Sequence, residues 1–210
     1  MNTTKTHWEN MYQTKLSTEV SWYQGIPELS LQLIQKAGIS PDDSIIEVGA
    51  GASTLVDCLL ERGFHQLTVL DIATAAMQQT QARLGDQAKK VQWIEADVTH
   101  FQPPQQYQYW HDRAVFHFLT DEQDRKNYIQ VLQSALRPEG YAMIATFAAD
   151  GPEKCSGLNV VRYDSQRMSE ALGNTLKLVE VHHESHVTPS GGEQKFIYFL
   201  FQNNVHGTLL

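Results

Sequence analysis

From Ser44 onward, short apolar runs alternate with stretches whose apolar residues recur at helical spacing. Ser44–Val48, Gln66–Leu70, Val91–Glu95, Gln108–Asp112 and Tyr141–Phe147 read as strands. Between the first two, Leu55, Val56, Leu59 and Leu60 share one helical face, with Ser53 placed to cap it and Gly63 to stop it. A second helix is predicted over Thr74–Leu84, ended by Gly85. A third covers Asp121–Leu136, where Tyr128, Val131, Leu132, Ala135 and Leu136 repeat before Pro138 and Gly140 end the run. Such alternation predicts an α/β domain: a parallel sheet with helices on both faces, binding ligands beyond the carboxyl ends of its strands. The tail departs from it. Thr175–His183 and Gln194–Gln202 are two β-rich runs joined through Thr188-Pro189-Ser190-Gly191-Gly192, with no room for a crossover helix, so an antiparallel hairpin is expected. Ahead of the first strand, Leu29, Leu31, Leu33, Ile34 and Ala37 precede Gly38 and predict helical additions. The expected organisation is one domain over 1–210, a helical cap over 1–40 and a core over 41–202.

Composition narrows the function classes. A chain of 210 residues, 41% hydrophobic and 19% charged, suits a single globular domain with a sizeable core. A net charge of −8 argues against general affinity for nucleic acid or anionic membrane, which needs clustered Lys and Arg. Cys58 and Cys155 are too few for a disulfide framework or a four-cysteine zinc site, so no metal is expected. The longest apolar run, Phe196 to Phe201, falls far short of the roughly 18 residues of a membrane span, and the polar start lacks a signal-peptide core. A cytoplasmic protein is expected, a monomer or weak homodimer, acting on a small molecule or a protein.

The first strand runs into Glu47-Val48-Gly49-Ala50-Gly51-Ala52-Ser53. Glycines there allow a sharp turn and let a ligand approach main-chain N–H groups. Asp71 ends the second strand twenty residues beyond Gly51, the interval at which a carboxylate reaches ribose hydroxyls. Together they point to an adenosine-type ligand; the plainer alternative is a tight turn with Asp71 capping the next helix. Thr54 stands where dinucleotide loops carry Gly or Ala, and Glu47 would repel a pyrophosphate while attracting a cation. S-adenosylmethionine, with its sulfonium and ammonium, meets that requirement.

On these residues the chain resembles class I S-adenosylmethionine-dependent methyltransferases over nearly all of Ser44 to Gln202. Glu47-Val48-Gly49-Ala50-Gly51 is similar to the family's first motif, and Asp71 to its ribose-binding acid. Ala96-Asp97-Val98 resembles the adenine-holding segment, and Leu136-Arg137-Pro138-Glu139-Gly140 the turn before strand five. Ser53, Gln108 and Glu139 depart from the family's usual residues. The resemblance implies a Rossmann-like methyltransferase fold, a seven-stranded mostly parallel doubly wound sheet whose added antiparallel strand agrees with the hairpin. It implies cofactor contacts at Trp22, Glu47, Gly49, Ala50, Gly51, Asp71, Ile72, Ala96, Asp97, Val98 and His111, and S-adenosylhomocysteine as the product.

Methyl transfer chiefly needs alignment and exclusion of water, and a base only if the nucleophile arrives protonated. The resemblance puts the end of strand four beside the methyl group, which makes His111, Arg113 and His117 the candidates for chemistry and Phe116 a wall of the acceptor pocket. Alternation puts His111 and Arg113 on one side of the strand and Asp112 on the other. An Arg113–Asp112 ion pair and hydrogen-bonded support histidines are the plainer alternatives. Trp8, Tyr12, Trp22 and Tyr23 precede the first strand, in a segment that resembles one closing over the cofactor or receiving substrate; ordinary core packing is the alternative. The long stretch from Ala148 to Arg162 has loop composition and is expected to act as a lid, with Arg162 and Tyr163 near an acidic acceptor or Arg162 paired with Asp164 or Glu153. Cys155 reads as a plain thiol, and His182, His183 and His186 alternate across a strand, which disfavours a metal. The expected activity is methyl transfer to a small-molecule acceptor; the alternatives are methylation of protein lysine and a non-catalytic binding module.

Overall fold

The computed structural model describes residues 3–173 and 176–204. Its strands are β1 (Ile45–Val48), β2 (Leu67–Asp71), β3 (Val91–Glu95), β4 (Tyr107–Arg113), β5 (Leu136–Phe147), β6 (Lys154–Cys155), β7 (Leu158–Asn159), β8 (Lys177–Val187) and β9 (Glu193–Gln202). The α-helices are α1 (Thr3–Thr14), α2 (Glu28–Lys36), α3 (Leu55–Glu61), α4 (Thr74–Leu84), α5 (Glu122–Ala135) and α6 (Ser165–Leu172). Seven strands form one sheet in the order β3-β2-β1-β4-β5-β9-β8, parallel from β3 to β5 and closed by the antiparallel pair β9 and β8. The chain order reverses between β1 and β4, which opens a crevice at their carboxyl ends.

Strand alternation divides the interior into two cores. Ile45, Tyr109, Met143, Tyr198 and Leu200 pack on one face against Leu33 of α2 and Leu55 and Leu59 of α3. Ile46, Trp110, Ile144, Ile197 and Phe199 pack on the other against Tyr128 and Leu132 of α5 and Met168 of α6. The same alternation sends Glu47, His111 and Arg113 toward the first core and Asp112 toward the second, so their functional separation is already set by the pleat.

Four boundaries differ from expectation for local reasons. β5 begins at Leu136, not Tyr141, because Arg137–Gly140 forms a bulge: pairing passes from Tyr107 with Leu136 directly to Tyr109 with Tyr141. Glu139 sits there at φ +60°, its N–H donating to the Asn203 carbonyl. β8 continues past His183 to Val187, since Ser185, His186 and Val187 still pair with Lys195, Gln194 and Glu193. The expected strand start at Thr175 lies outside the described residues. The cap contains a second helix, α1, and the stretch from Ala148 to Arg162 contains the hairpin β6–β7. That stretch is docked: Ala148 bridges Tyr163, Val161 N–H donates to the His117 carbonyl, and Cys155 is buried.

Candidate active site

β1 leads straight into Gly49-Ala50-Gly51, with Gly49 at φ +63°. A Cβ on Gly49 would lie 2.0 Å from Val115 Cγ2; one on Gly51 would lie 2.7 Å from Ala76 Cβ and 2.9 Å from both Asp71 Oδ2 and Met77 N. The loop is therefore pressed between α4 and the turn after β4. Asp71 holds it there, since its Oδ2 accepts the Gly51 N–H at 2.8 Å and its Oδ1 the Ala73 N–H at 2.7 Å. Each carboxylate oxygen retains a lone pair for a ligand hydroxyl. Burial pushes the Asp71 carboxyl up to about 6, against the backbone N–H groups that favour its charge.

Beyond these strand ends lies a cavity of about 310 Å³, within the range of small-molecule sites. Gly49, Asp71 and Ile72 line it from β1 and β2, Ala96, Asp97 and Val98 from the end of β3, and Phe118 from the turn after β4. Asp97 Oδ1 accepts from the N–H and hydroxyl of Thr99, which caps the short turn Val98–His100 and fixes the carboxylate. Trp8 and Tyr12 of α1 complete the wall. Trp8 meets Phe118 and Trp22 edge-on, with ring centroids 5.1 and 5.8 Å away. α1 is fastened to α4 through Glu9, whose carboxylate accepts the Thr74 and Ala75 N–H groups at that helix's N-terminus. Trp8 and Tyr12 belong to the segment that resembles one closing over a cofactor or receiving substrate, and the docking of α1 brings both to this cavity.

A second chamber, about 50 Å³, lies on the α2 side of β1 and β4 and shares Tyr12 and Val48 with the first. Glu47, Ser30, His111, Arg113, Trp22 and Tyr23 face it. His111 Nε2 is 2.9 Å from Ser30 Oγ, while its Nδ1 and Glu47 Oε2 have no hydrogen-bond partner among the described residues although both side chains are buried. Burial raises the Glu47 carboxyl to about 8 and, with the Arg113 charge, lowers the His111 imidazole to about 3. An unpaired acceptor beside glycines that no side chain can replace suits a compact ligand with donor groups, and the donor set of the larger cavity suits an adenosine.

The segment running from Glu47 through Asp71 and Asp97 to the bulged turn lies within residues 45–140, which match the family model described as "Methyltransferase domain". Residues 45–140, a little under half of the chain, are similar to a methyltransferase domain. Among curated proteins, the domain resembles the mouse (Mus musculus) "eEF1A lysine and N-terminal methyltransferase", 26% identical over 120 residues. That match covers 56% of this chain, and the chain spans only 17% of that relative's length. The "EEF1A lysine methyltransferase 2" of Danio rerio is 23% identical over 160 residues, 68% of each protein. Among solved structures, the Burkholderia thailandensis 1,6-didemethyltoxoflavin-N1-methyltransferase with bound S-adenosylhomocysteine superposes with a TM-score of 0.69 at 16% identity, covering 95% of this chain and 84% of that one. The N-methyltransferase NodS of Bradyrhizobium japonicum, in complex with S-adenosylhomocysteine, gives 0.69 at 18% identity, covering 93% and 97%. The fold is that of class I methyltransferases.

The structure distributes the residues expected from sequence over three places. Gly49, Asp71, Ile72, Ala96, Asp97 and Val98 line the larger cavity; Trp22, Tyr23, Glu47, Ala50, His111 and Arg113 line the smaller. Gly51 lines neither and acts through Asp71. His117 and Phe116 face neither cavity. His117 is fully buried, its Nδ1 accepting the Phe147 N–H at 3.2 Å, which makes it a support for the end of β5. Phe116 packs on Tyr128 and Tyr163 in the second core. Tyr163 is itself buried there, and Arg162 reaches Glu153 at 3.1 Å and the Gly151 carbonyl. Arg113 pairs with Glu184 of β8, not Asp112. Asp112 points to the opposite face, where it accepts from the Val115 and Phe116 N–H groups and the Tyr128 hydroxyl. His182 meets Glu180 and His186 reaches the Ser21 carbonyl, so the histidine group is spread along the sheet edge.

Buried ionisable groups give the domain a definite stability profile. Glu47 and Asp112 have carboxyls raised from ordinary values of 4.5 and 3.8 to about 8 and about 7, chiefly by burial. The folded state therefore binds more protons than the unfolded chain between those values, and this part of stability falls as pH rises. His111 and His117, lowered from 6.5 to about 3, act in the opposite sense below pH 6.5 and are silent above it. The ligand-free protein is expected to lose Tm from pH 6.5 to 8.5, with Glu47→Gln flattening the slope. A thermal shift series in both proteins checks this, and a Tm that rises over that interval contradicts it.

Proposed function

We propose that the chain is an S-adenosylmethionine-dependent methyltransferase acting on a small-molecule acceptor. The observation that carries this reading is the walled cavity at the strand ends, where two fixed carboxylates and the glycine loop meet under α1. Gly49, Ala50 and the Asp71 carboxylate would hold the ribose and the chain beyond it, while Ile72, Ala96, Asp97 and Val98 would hold the adenine. Bound there, the cofactor supplies a methyl group activated by positive sulfur. Trp8, Tyr12 and Phe118 exclude water from the cavity, and the α1 roof favours a compact acceptor over a broad protein surface.

The relatives that methylate eEF1A support a second reading, a lysine side chain threading into the same cavity. Transfer of radioactive methyl groups from S-adenosylmethionine into a cell extract, followed by separation by size, distinguishes the two. Label in the small-molecule fraction is expected; label in protein alone selects the second reading, and label in neither, with cofactor bound, leaves a binding module.

Asp97→Ala is expected to lose discrimination for adenine, since a carboxylate held by Thr99 accepts from an exocyclic amine but gains nothing from an inosine oxygen. Calorimetry with S-adenosylhomocysteine and its inosine analogue measures the ratio. A wild-type ratio near one removes Asp97 from the adenine site.

A further inference from the structure

We propose that the groove between α5, α6 and the segment leading from β7 into α6 is a second binding site, which takes a small molecule with an anionic head, carboxylate or phosphate, and a short apolar tail. This goes beyond the methyltransferase reading, and no part of it depends on the cofactor.

The groove encloses about 330 Å³, within the range of small-molecule sites, and shares no lining residue with either cavity at the strand ends. Helical spacing builds its two walls. Arg125, Lys126 and Ile129 fall on one face of α5, and Arg167 and Ala171 on one face of α6. Ile129, Val161 and Ala171 are left half-buried at the edge of the second core, so an apolar tail laid on them would complete their burial.

The charges around this apolar strip favour an anion. Both arginines donate to carbonyls, Arg125 Nη1 to Leu119 and Thr120 and Arg167 Nη1 to Arg162. Among the described residues neither forms an ion pair, whereas Arg83, Arg113 and Arg162 each meet a carboxylate. The two carboxylates that border the groove are engaged: Glu122 pairs with Lys126 at 2.6 Å, and Glu170 accepts from the Gln166 amide at 2.9 Å. A guanidinium has five N–H donors, so the carbonyl bonds orient each fork and leave donors for a carboxylate or phosphate.

Tyr163 is an independent mark of a ligand. It lines the groove and is 1% exposed, yet its hydroxyl has no hydrogen-bond partner among the described residues. Burial pushes the phenol up to about 12, opposed by the charges of Arg125 and Arg167 and reinforced more weakly by Asp112. The hydroxyl is therefore a neutral donor in the field of both guanidinium groups. Left unpaired, a buried hydroxyl destabilises the fold; an anion held by the arginines gives it an acceptor. A neutral alcohol gains nothing from the two charges.

The test is calorimetry on the full chain without cofactor, using n-hexanoate, n-hexyl phosphate and n-hexanol as probes. At least one of the anions should bind at low millimolar concentration, with n-hexanol at least about tenfold weaker; the tighter anion names the head group. Arg167→Gln, an exposed change that leaves the core intact, should lose about tenfold in affinity for that anion. Lys89→Gln removes the same charge from an exposed site outside the groove and should leave the affinity unchanged. Tyr163→Phe distinguishes a binding role from packing. It should weaken the anion at least about threefold, while the ligand-free protein keeps or gains Tm, since the deleted hydroxyl had no partner. Any of five results overturns the proposal: no binding of either anion at several millimolar, n-hexanol binding as tightly as the anions, an Arg167→Gln affinity no lower than that of Lys89→Gln, undiminished binding by Tyr163→Phe, or a ligand-free Tm that falls in Tyr163→Phe. Affinity for S-adenosylhomocysteine enters none of these, so failure of the methyltransferase reading is scored separately.

Discussion

Gly51→Ala is expected to abolish measurable S-adenosylhomocysteine binding while leaving a folded protein. The added methyl would sit 2.7 Å from Ala76 Cβ and 2.9 Å from Met77 N, and neither is the free end of a flexible side chain that can swing aside. It would also press on Asp71 Oδ2, the atom that accepts the Gly51 N–H. Relief requires α4 and the loop to move apart, and that movement breaks the bond that positions Asp71. Overpacking of this kind costs about 1–3 kcal/mol, or a fall in Tm of about 2–12 °C for a chain of this size. Stability thus survives the change, whereas a cradle built from backbone N–H groups loses its spacing. Calorimetry with S-adenosylhomocysteine, with circular dichroism to verify folding, measures both effects. A folded variant that binds with wild-type affinity would remove the loop from the cofactor site.

The features legible in the sequence were those written in short-range code. Apolar periodicity located β1 to β4, α3 and α4 to within a residue or so, because each element buries one continuous stripe. The interval between Gly51 and Asp71 marks the acid as a ribose contact; the bond it makes to the Gly51 N–H follows only from the folded β-α-β unit. Alternation along β4 by itself puts Asp112 opposite His111 and Arg113. What stayed hidden depends on partners far along the chain. Arg113 pairs with a residue 71 positions away, and no local pattern selects Glu184 over the adjacent Asp112. His117 and Phe116 looked accessible because they follow a functional strand, yet the turn carries both inward, held by Asp112 and Phe147. α1 has no strong apolar stripe of its own, because its aromatic face covers a cavity and its carboxylate caps another helix. The segment after β5 looked like a loop because two-residue strands carry too little periodicity to detect.

Arg113→Leu is expected to uncouple cofactor binding from methyl transfer. Its guanidinium, 9% exposed, makes three contacts: Nη1 donates to the Trp22 carbonyl at 2.9 Å, Nε to the Tyr198 hydroxyl at 2.7 Å, and Nη2 lies 3.4 Å from Glu184. The Phe196 ring lies beneath it, 4.4 Å from the guanidinium carbon. Around this clamp, Gln24 donates to Glu184, His186 reaches the Ser21 carbonyl, and Thr54 donates to the Gln24 carbonyl. Arg113 thus fastens the aromatic segment that walls the small chamber to the sheet edge. Breaking a buried pair costs about 3–5 kcal/mol, and the value here belongs at the lower end because Glu184 is 18% exposed and keeps Tyr198 and Gln24 as partners. Lysine cannot restore the fork, since it presents one point charge where three directions are needed. The adenosine cavity stands on β2 and β3, so S-adenosylhomocysteine affinity should change by less than about threefold, within one kcal/mol. Methyl transfer should fall at least about a hundredfold, because a displaced wall no longer aligns the acceptor or excludes water. A purely structural role predicts instead that Arg113→Leu with Glu184→Leu, which removes the stranded charge, regains activity together with Tm. Hydrogen exchange separates the cases: residues 17–24 should lose protection in both variants while β2 and β3 keep theirs. Full turnover by the double variant would reduce Arg113 to a stabilising pair and free the aromatic segment from any part in alignment.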